Sequence, residues 1–309
     1  MFQENVPLKK YSSFQIGGSA KYFFEAQNLE EIKSALREAQ RSNLPIFILA
    51  GGTNLLIKDE GFEGLVLHPN LNYIEKINKT VLRVGCGVEV GKLLEYLIEN
   101  ELSGMEWAGG LPGSLGGAVR GNAGAFNGEI KNSILNVTSL ILKKPDTLIT
   151  RNNDECRFGY RNSVFKEKNG EELILEVHLE FRNGSKNEIK KAVDEKIAYR
   201  FSRHPMERPN IGSMFKNVLV VSFGSEVLEL VKDKIKNDPI PVIPTAVLLA
   251  RCNLVGVTSG GAQFSPKHPN FIVNVFNAKA SDVENLIALA KGEVYKKFKV
   301  NLEEEIVRV

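Results

Sequence analysis

The chain has 309 residues, 40 Lys and Arg against 37 Asp and Glu for a net charge of +3, and 43% hydrophobic residues. That length supports a sizeable core and a prior of about two domains, and the composition excludes a disordered chain, a collagen-like repeat and a small disulfide scaffold. Basic residues are interspersed with acidic ones, so there is no electrostatic footprint for nucleic acid. Cys86, Cys156 and Cys252 are far apart and none sits in a CxxC pair, so neither a disulfide framework nor a zinc site is expected. The opening residues lack a basic-then-apolar signal pattern. The longest apolar runs, 46–50 and 242–250, fall far short of the ~20 residues that span a bilayer. A soluble cytoplasmic protein with no membrane partner is expected.

In chain order, residues 20–26 read as a strand. Asn28 caps a following helix with Glu31 three residues on, and Leu29, Ile32, Leu36 and Ala39 form its apolar face. Residues 46–50 form a buried strand that runs into Gly51-Gly52, and short strands follow at 55–57, 64–67 and 80–84. Residues 90–101 are helical by pattern. Residues 104–128 differ from their surroundings: nine of these 25 positions are Gly. Strands at 136–142 and 173–181 precede a helix opened by Ser185 and Glu188. A domain boundary is placed near residue 200. Beyond it, helices are expected at 225–236 and at 281–298, the second opened by a Ser281–Glu284 box, with strands at 271–275 and at the C-terminus.

Two glycine clusters are the first candidates for chemistry. Glycine lets backbone N–H groups approach an anion closely and in unusual conformations. The first cluster is Gly51-Gly52-Thr53-Asn54, directly after a strand. The second contains Pro112, Gly113, Ser114, Gly116, Gly117 and Ala118 and continues to Asn122 and Gly124. Gly117 is read as a position whose backbone conformation and close approach both exclude a side chain. A lone Gly-Gly is ordinarily a turn, but nine glycines in 25 residues point to a phosphate cradle. Neither cluster is a Walker loop or a Rossmann fingerprint, so a dinucleotide bound here would need a different fold. Arg161 in Tyr160-Arg161-Asn162-Ser163, Ser213 in Gly212–Asn217, His268 in the 260–271 segment and the acidic run Glu303-Glu304-Glu305 are further candidates. Taken singly, each reads as turn or solvated surface. No His pair has metal-ligand spacing, so no metal is expected. Residue types alone reach an α/β protein with an anion-binding loop.

Taken in order, these segments resemble the UDP-N-acetylenolpyruvoylglucosamine reductase family. The resemblance runs from Ser13-Phe14-Gln15-Ile16-Gly17-Gly18 through Ala50-Gly51-Gly52-Thr53-Asn54, the glycine-rich run to Phe126, Gly159–Ser163, Gly212–Asn217 and residues 260–274 to the acidic terminus. It implies an α+β protein: a two-subdomain FAD-binding fold of the vanillyl-alcohol-oxidase-like type over residues 1–200 (about 1–68 and 69–200), then a C-terminal α+β substrate domain over 201–309. It implies FAD without a covalent link, NADPH as hydride donor, a nucleotide-sugar substrate and a monomer. It also implies that Arg161 and Glu305 face the substrate carboxylate and that Ser213 donates a proton. By the same resemblance, Lys216, Asn217 and His268 contact substrate, and the two glycine loops hold FAD. Val218 and Glu304 replace prolines of the pattern, and the 28 residues of 218–245 are more than most members carry. The glutamate run leaves Glu304 as an alternative to Glu305. Two other functions stay open: a flavin oxidase with the same fold and another substrate, and a nucleotide-binding module without catalysis. NADPH consumption with the enolpyruvyl substrate separates the first, and a colourless purified protein would mark the second.

Overall fold

The structure, a computed structural model, describes residues 2–237 and 240–309. Two compact units divide the chain. The first comprises Ala20–Gly51 and Glu63–Tyr199 with the N-terminal residues up to Val6. Its smaller sheet has the strand order Gln3–Pro7, Ser19–Ala26, Phe62–Pro69, Ile46–Ile48. Leu65, Val66 and Leu67 are consecutive and all buried, because their strand pairs in parallel with Ile46–Ile48 and is covered on both faces. One cover is the helix Leu29–Arg41. Asn28 accepts from the Glu31 N–H at 2.9 Å, and Ile32, Ala35, Leu36 and Ala39 pack inward. The larger sheet is antiparallel, ordered Leu148–Asn152, Ile134–Ile141, Glu172–Glu180, Val81–Gly85, Ile74–Lys76. Val90–Glu99 buries Val90, Leu93, Leu94 and Leu97 into the same core.

The second unit comprises Arg200–Val309 together with Pro7–Ser19 and Gly52–Phe62. These two early segments fall within the stretch that the sequence reading grouped with residues 1–200. Phe14, Ile16 and Leu56 share a core with Phe215, Phe264, Val283, Ile287 and Phe298. Leu55–Leu56 pairs in parallel with Val307–Arg308, and the Lys58 N–H donates to the Val309 carbonyl at 2.9 Å. The Asp59 carboxylate accepts from the N–H groups of Ala280 and Ser281 at 2.8 and 3.2 Å.

That last contact corrects one expected helix start. The helix is Ala280–Phe298, and Asp282, not Glu284, reaches back to the Lys279 N–H at 3.0 Å. Ser281 does not cap it; its hydroxyl donates to Asp59 instead. The expected helix at 225–236 is also interrupted. Ser225–Glu229 is helical, Lys232–Lys234 is a 3-10 turn, and Lys236–Asn237 pairs with Pro241–Ile243. Of its apolar stripe Val231 is buried, while Leu230 and Ile235 stay exposed, so no packed face sustains a longer helix. Asp238 and Pro239, in the same stretch, lie outside the described residues, as does Met1. Among the described residues no helix is long and apolar enough to cross a membrane.

One buried ion pair ties the large sheet together. Arg151 donates twice to Glu172, at 2.6 and 2.8 Å, and Ser139 donates to the same carboxylate at 2.7 Å. Burial pushes the Glu172 carboxyl up, but the hydrogen bonds from Arg151 and Ser139 outweigh it and hold the group below its ordinary value. A depressed folded value means that the contribution is complete above the unfolded carboxylate's pKa and is lost as pH falls through the folded one. Arg151→Met should therefore cost about 3–5 kcal/mol at neutral pH, since it strands a buried carboxylate. The deficit in thermal unfolding should shrink on acidification, and Arg151→Met with Glu172→Met should recover much of the loss. A neutral single variant would show the pair to be dispensable.

Candidate active site

The two glycine clusters meet backbone to backbone in the first unit. A Cβ on Gly51 would stand 2.7 Å from both Gly113 Cα and Ser114 N. Gly113 has φ +104°, a conformation that favours glycine. The N–H groups of Leu115 and Gly116 donate to Val88 and Cys86 at 2.8 and 2.9 Å, pinning the loop from below. Gly116 sits over Cys86, where a Cβ would come within 2.9 Å of the Cys86 Cβ. Gly117 is different, and its reading is corrected. It lies in the short helix Leu115–Arg120, faces solvent and has no positive φ, and the nearest atoms to an added Cβ are ordinary contacts at 3.6 and 3.8 Å. One of those atoms is Ser114 Oγ, which is buried without a hydrogen-bond partner among the described residues. Pro112 is exposed beside it and Ala118 is half-buried.

Asn122, Gly124 and Arg161 are brought together. Asn122 is fully buried at φ +42°, and its amide donates to Glu129 and to the Gly159 carbonyl, each at 2.9 Å. Its Oδ1 accepts from the Lys131 N–H at 3.3 Å. Gly159 and Asn162 exchange backbone hydrogen bonds of 3.0 and 3.1 Å, closing a tight turn with Arg161 at φ +54°. The guanidinium donates to the Gly124 carbonyl at 2.8 Å and lies over the Tyr160 ring. Asn122 thus acts as an anchor between the glycine-rich run and the arginine turn. The sequence marks it as a polar loop residue and gives no sign of its partners.

In the second unit, residues 213–217 run between residues 268–271 and 303–305. Ser213 bridges Phe271, and Phe215 bridges Glu304. The Lys216 N–H donates to Glu303 and the Glu305 N–H to Met214, both at 2.9 Å. Ser213, Lys216 and Glu305 are therefore neighbours in one hydrogen-bonded layer. Glu304 accepts hydrogen bonds from Lys291 and Arg308, so its carboxylate belongs to the face where those cations stand. Burial raises the Glu304 carboxyl, and the Arg308 and Lys291 hydrogen bonds overcome that and lower it. Adjacent side chains of an extended segment point to opposite faces, which assigns Glu305 to the other side.

Lys216 pairs with Glu303. Asn217 Oδ1 accepts the Thr245 N–H at 3.2 Å, and Thr245 Oγ1 donates to the Lys216 carbonyl at 2.6 Å. Asn217 thus holds the start of the helix Thr245–Arg251. His268 packs edge-on to His204 and Phe271, and burial pushes its imidazole down to about 4. Burial thus disfavours the charged form of this ring. Gly52 has φ +63° and leaves no space for a Cβ, which would stand 1.7 Å from the Tyr11 carbonyl oxygen. Thr53 is half-buried. Asn54 donates to the Glu305 carbonyl at 3.0 Å and accepts the Val307 N–H at 2.9 Å through its own carbonyl. The first glycine loop is thus clamped to the glutamate segment, a long-range contact without a local signal.

Residues 20–148 match an FAD binding domain. Residues 204–309 match the C-terminal domain of UDP-N-acetylenolpyruvoylglucosamine reductase. The reductase of that name from Clostridioides difficile (strain 630) is 34% identical over 302 residues, 97% of this chain and 90% of the relative. Its counterpart from Listeria monocytogenes serotype 4b is likewise 34% identical, over 98% of this chain and 93% of the relative. The crystal structure of the reductase from Thermus caldophilus superposes with a TM-score of 0.77 at 26% identity, covering 100% of this chain and 99% of that one. The chain belongs to the UDP-N-acetylenolpyruvoylglucosamine reductase family.

Two pairs of variants test this geometry. Gly51→Ala should lower the thermal midpoint and flavin content together, because its Cβ collides with backbone that cannot move aside. Gly117→Val should lower the flavin-to-protein ratio at least tenfold with little change in the apoprotein's midpoint; full flavin occupancy would remove Gly117 from the cofactor surface. Glu304→Gln should cost about 1 kcal/mol, discounted because Lys291 and Arg308 are partly exposed. That cost should fade as pH drops through the carboxyl's depressed value. Glu305→Ala should instead abolish most turnover. Turnover lost in Glu304→Gln alone would reverse the assignment.

Proposed function

We propose that this chain reduces the enolpyruvyl ether of UDP-N-acetylglucosamine enolpyruvate to the lactyl ether of UDP-N-acetylmuramate, in the cytoplasm, with NADPH as reductant and non-covalent FAD. One observation carries the reading: the match to the reductases runs over nearly the full length of both chains and includes both domains. The second glycine loop fits a bound dinucleotide. Ser114 presents a buried hydroxyl without a partner among the described residues, Gly117 presents solvent-facing backbone with only ordinary contacts near it, and Gly51 and Gly113 let the two loops approach closely. Gly51, Gly52, Thr53, Asn54, Pro112, Gly113, Ser114, Gly116, Gly117, Ala118, Asn122 and Gly124 would line or support that site. When bound, FAD supplies the hydride relay from NADPH to the methylene carbon of the enolpyruvyl group.

The chain's own residues then handle charge and the proton. Arg161, stiffened by its turn and by Gly124 and Tyr160, would hold the substrate carboxylate through its planar fork. As hydride arrives, negative charge builds on the carbon next to that carboxylate and spreads into it. Arg161 would offset that charge, with Glu305 beside it to bind the enolate. Ser213 would donate its hydroxyl proton to the carbon. A serine is a weak acid, so it acts only against so basic a partner and only within hydrogen-bond reach. Lys216 and His268 would contact the nucleotide sugar. Asn217 would do so through its NH₂ end, since its Oδ1 already accepts from Thr245.

Ser213→Ala separates the two half-reactions. NADPH should bleach the flavin absorbance of this variant at close to the wild-type rate. Recovery of the colour on adding the enolpyruvyl substrate should slow by about 10²–10⁴ or more. Ser213→Cys should restore part of that rate, because a thiol keeps a proton in nearly the same place. Equal slowing of both steps in rapid mixing would remove Ser213 from the role of acid.

A further inference from the structure

Asn270 is 2% exposed, and it holds residues 213–217 from one side through three hydrogen bonds. Its backbone carbonyl accepts the Met214 N–H at 2.7 Å. Its side-chain Oδ1 accepts the Phe215 N–H at 3.1 Å, and its Nδ2 donates to the Phe215 carbonyl at 2.8 Å. A side-chain amide thereby does what a strand neighbour would do, satisfying both backbone groups of one residue. Phe215 is itself fully buried. On the opposite edge the same segment is fixed by the Met214–Glu305 and Lys216–Glu303 backbone bonds. Ser213 follows Gly212 at φ +80°, where no side chain limits the backbone, and itself bridges Phe271, the residue after Asn270. Asn270 therefore stands between the Ser213–Phe271 bridge and the Phe215 clamp, the contacts that set the course of the backbone at Ser213.

We infer that Asn270 is a positioning residue that fixes the Ser213 hydroxyl for proton donation by holding both backbone groups of Phe215. The inference rests on Ser213 being the acid of the proposed reaction. An acid must lie within hydrogen-bond reach of its acceptor, and a displacement of about 1 Å can cost ~10²-fold in rate. No neighbouring backbone group replaces the amide, so only a residue with both a donor and an acceptor serves at this position.

Asn270→Asp and Asn270→Ala test the inference in the flavin-loaded enzyme. A protonated aspartate can accept from the Phe215 N–H and donate to its carbonyl, whereas an ionised one can only accept and repels that carbonyl. Burial raises the pKa of such a carboxyl. Between about pH 5 and about pH 8.5, the substrate-driven step of Asn270→Asp should therefore fall at least ~10-fold relative to wild type. NADPH-driven bleaching should keep the wild-type profile. Asn270→Ala should slow the substrate-driven step by about 10²-fold at every pH. Other titratable or charged groups near this site are His204, His268 and Lys267 beside Phe271, with the Lys216–Glu303 pair, Glu304 and Glu305 on the facing edge. All are present in wild type, so the variant-to-wild-type ratio isolates position 270. Parallel slowing of both steps, a pH profile equal to wild type, or loss of flavin or of folding in both variants would each overturn the inference. A wild-type enzyme that leaves the enolpyruvyl substrate unreduced would instead overturn the proposed reaction.

Discussion

The absence of a Cβ at two consecutive residues, Gly51 and Gly52, lets the chain lie directly against other backbone on both sides of one peptide. The chain passes from the first compact unit to the second between Gly51 and Gly52. On one side of that peptide, Gly51 lies against the backbone of Gly113 and Ser114; on the other, Gly52 lies against the Tyr11 carbonyl. Each glycine is locked by backbone of its own unit, and backbone does not yield as a flexible side chain does. Within its own unit each of these two glycines is therefore held by backbone.

Two buried amides hold the turn that carries Arg161 and the segment after Ser213. Asn122 and Asn270 are both almost inaccessible, and each uses the two ends of a primary amide. An amide donates and accepts at once, so it can close a gap between segments that share no ladder. Asn122 joins the glycine-rich run to the turn that carries Arg161, and Asn270 holds the segment after Ser213. Glu304 does comparable work with charge. Lys291 and Arg308 hold it as a carboxylate on one face, and the geometry of an extended chain then orients Glu305.

What was legible in the sequence follows from how local its cause is. Asn28 was readable because a cap and its partner lie three residues apart, and the Leu29–Arg41 helix follows. Ser281 looked like an equally good cap, yet Asp59, more than 200 residues earlier, takes its N–H and its hydroxyl. The helical spacing over 225–236 was real, but no partner covers its apolar face, and pairing with Pro241–Ile243 takes over its end. Glycine density showed where the loops are but not which glycine does what. Gly116 avoids Cys86, whereas a side chain on Gly117 would meet only ordinary contacts. The glutamate run was ambiguous by one residue, because only a fold that brings Lys291 and Arg308 to Glu304 separates the two. Asn270 carried no signal, since both groups it bonds belong to a backbone 55 residues away in sequence.

The pairing of Leu55–Leu56 with Val307–Arg308 has a consequence for how the protein is made. Asn54 and the carbonyl it bonds are 251 residues apart. A ribosome adding about 5–20 residues per second needs roughly 12–50 s to cover that distance. For that time the Gly52–Phe62 segment has left the ribosome without the strand that completes it. Apolar Leu55, Leu56 and Ile57 are then exposed while the surrounding first unit has the residues it needs to close. The newborn chain thus carries, for that interval, an insert whose parallel partner has yet to be made.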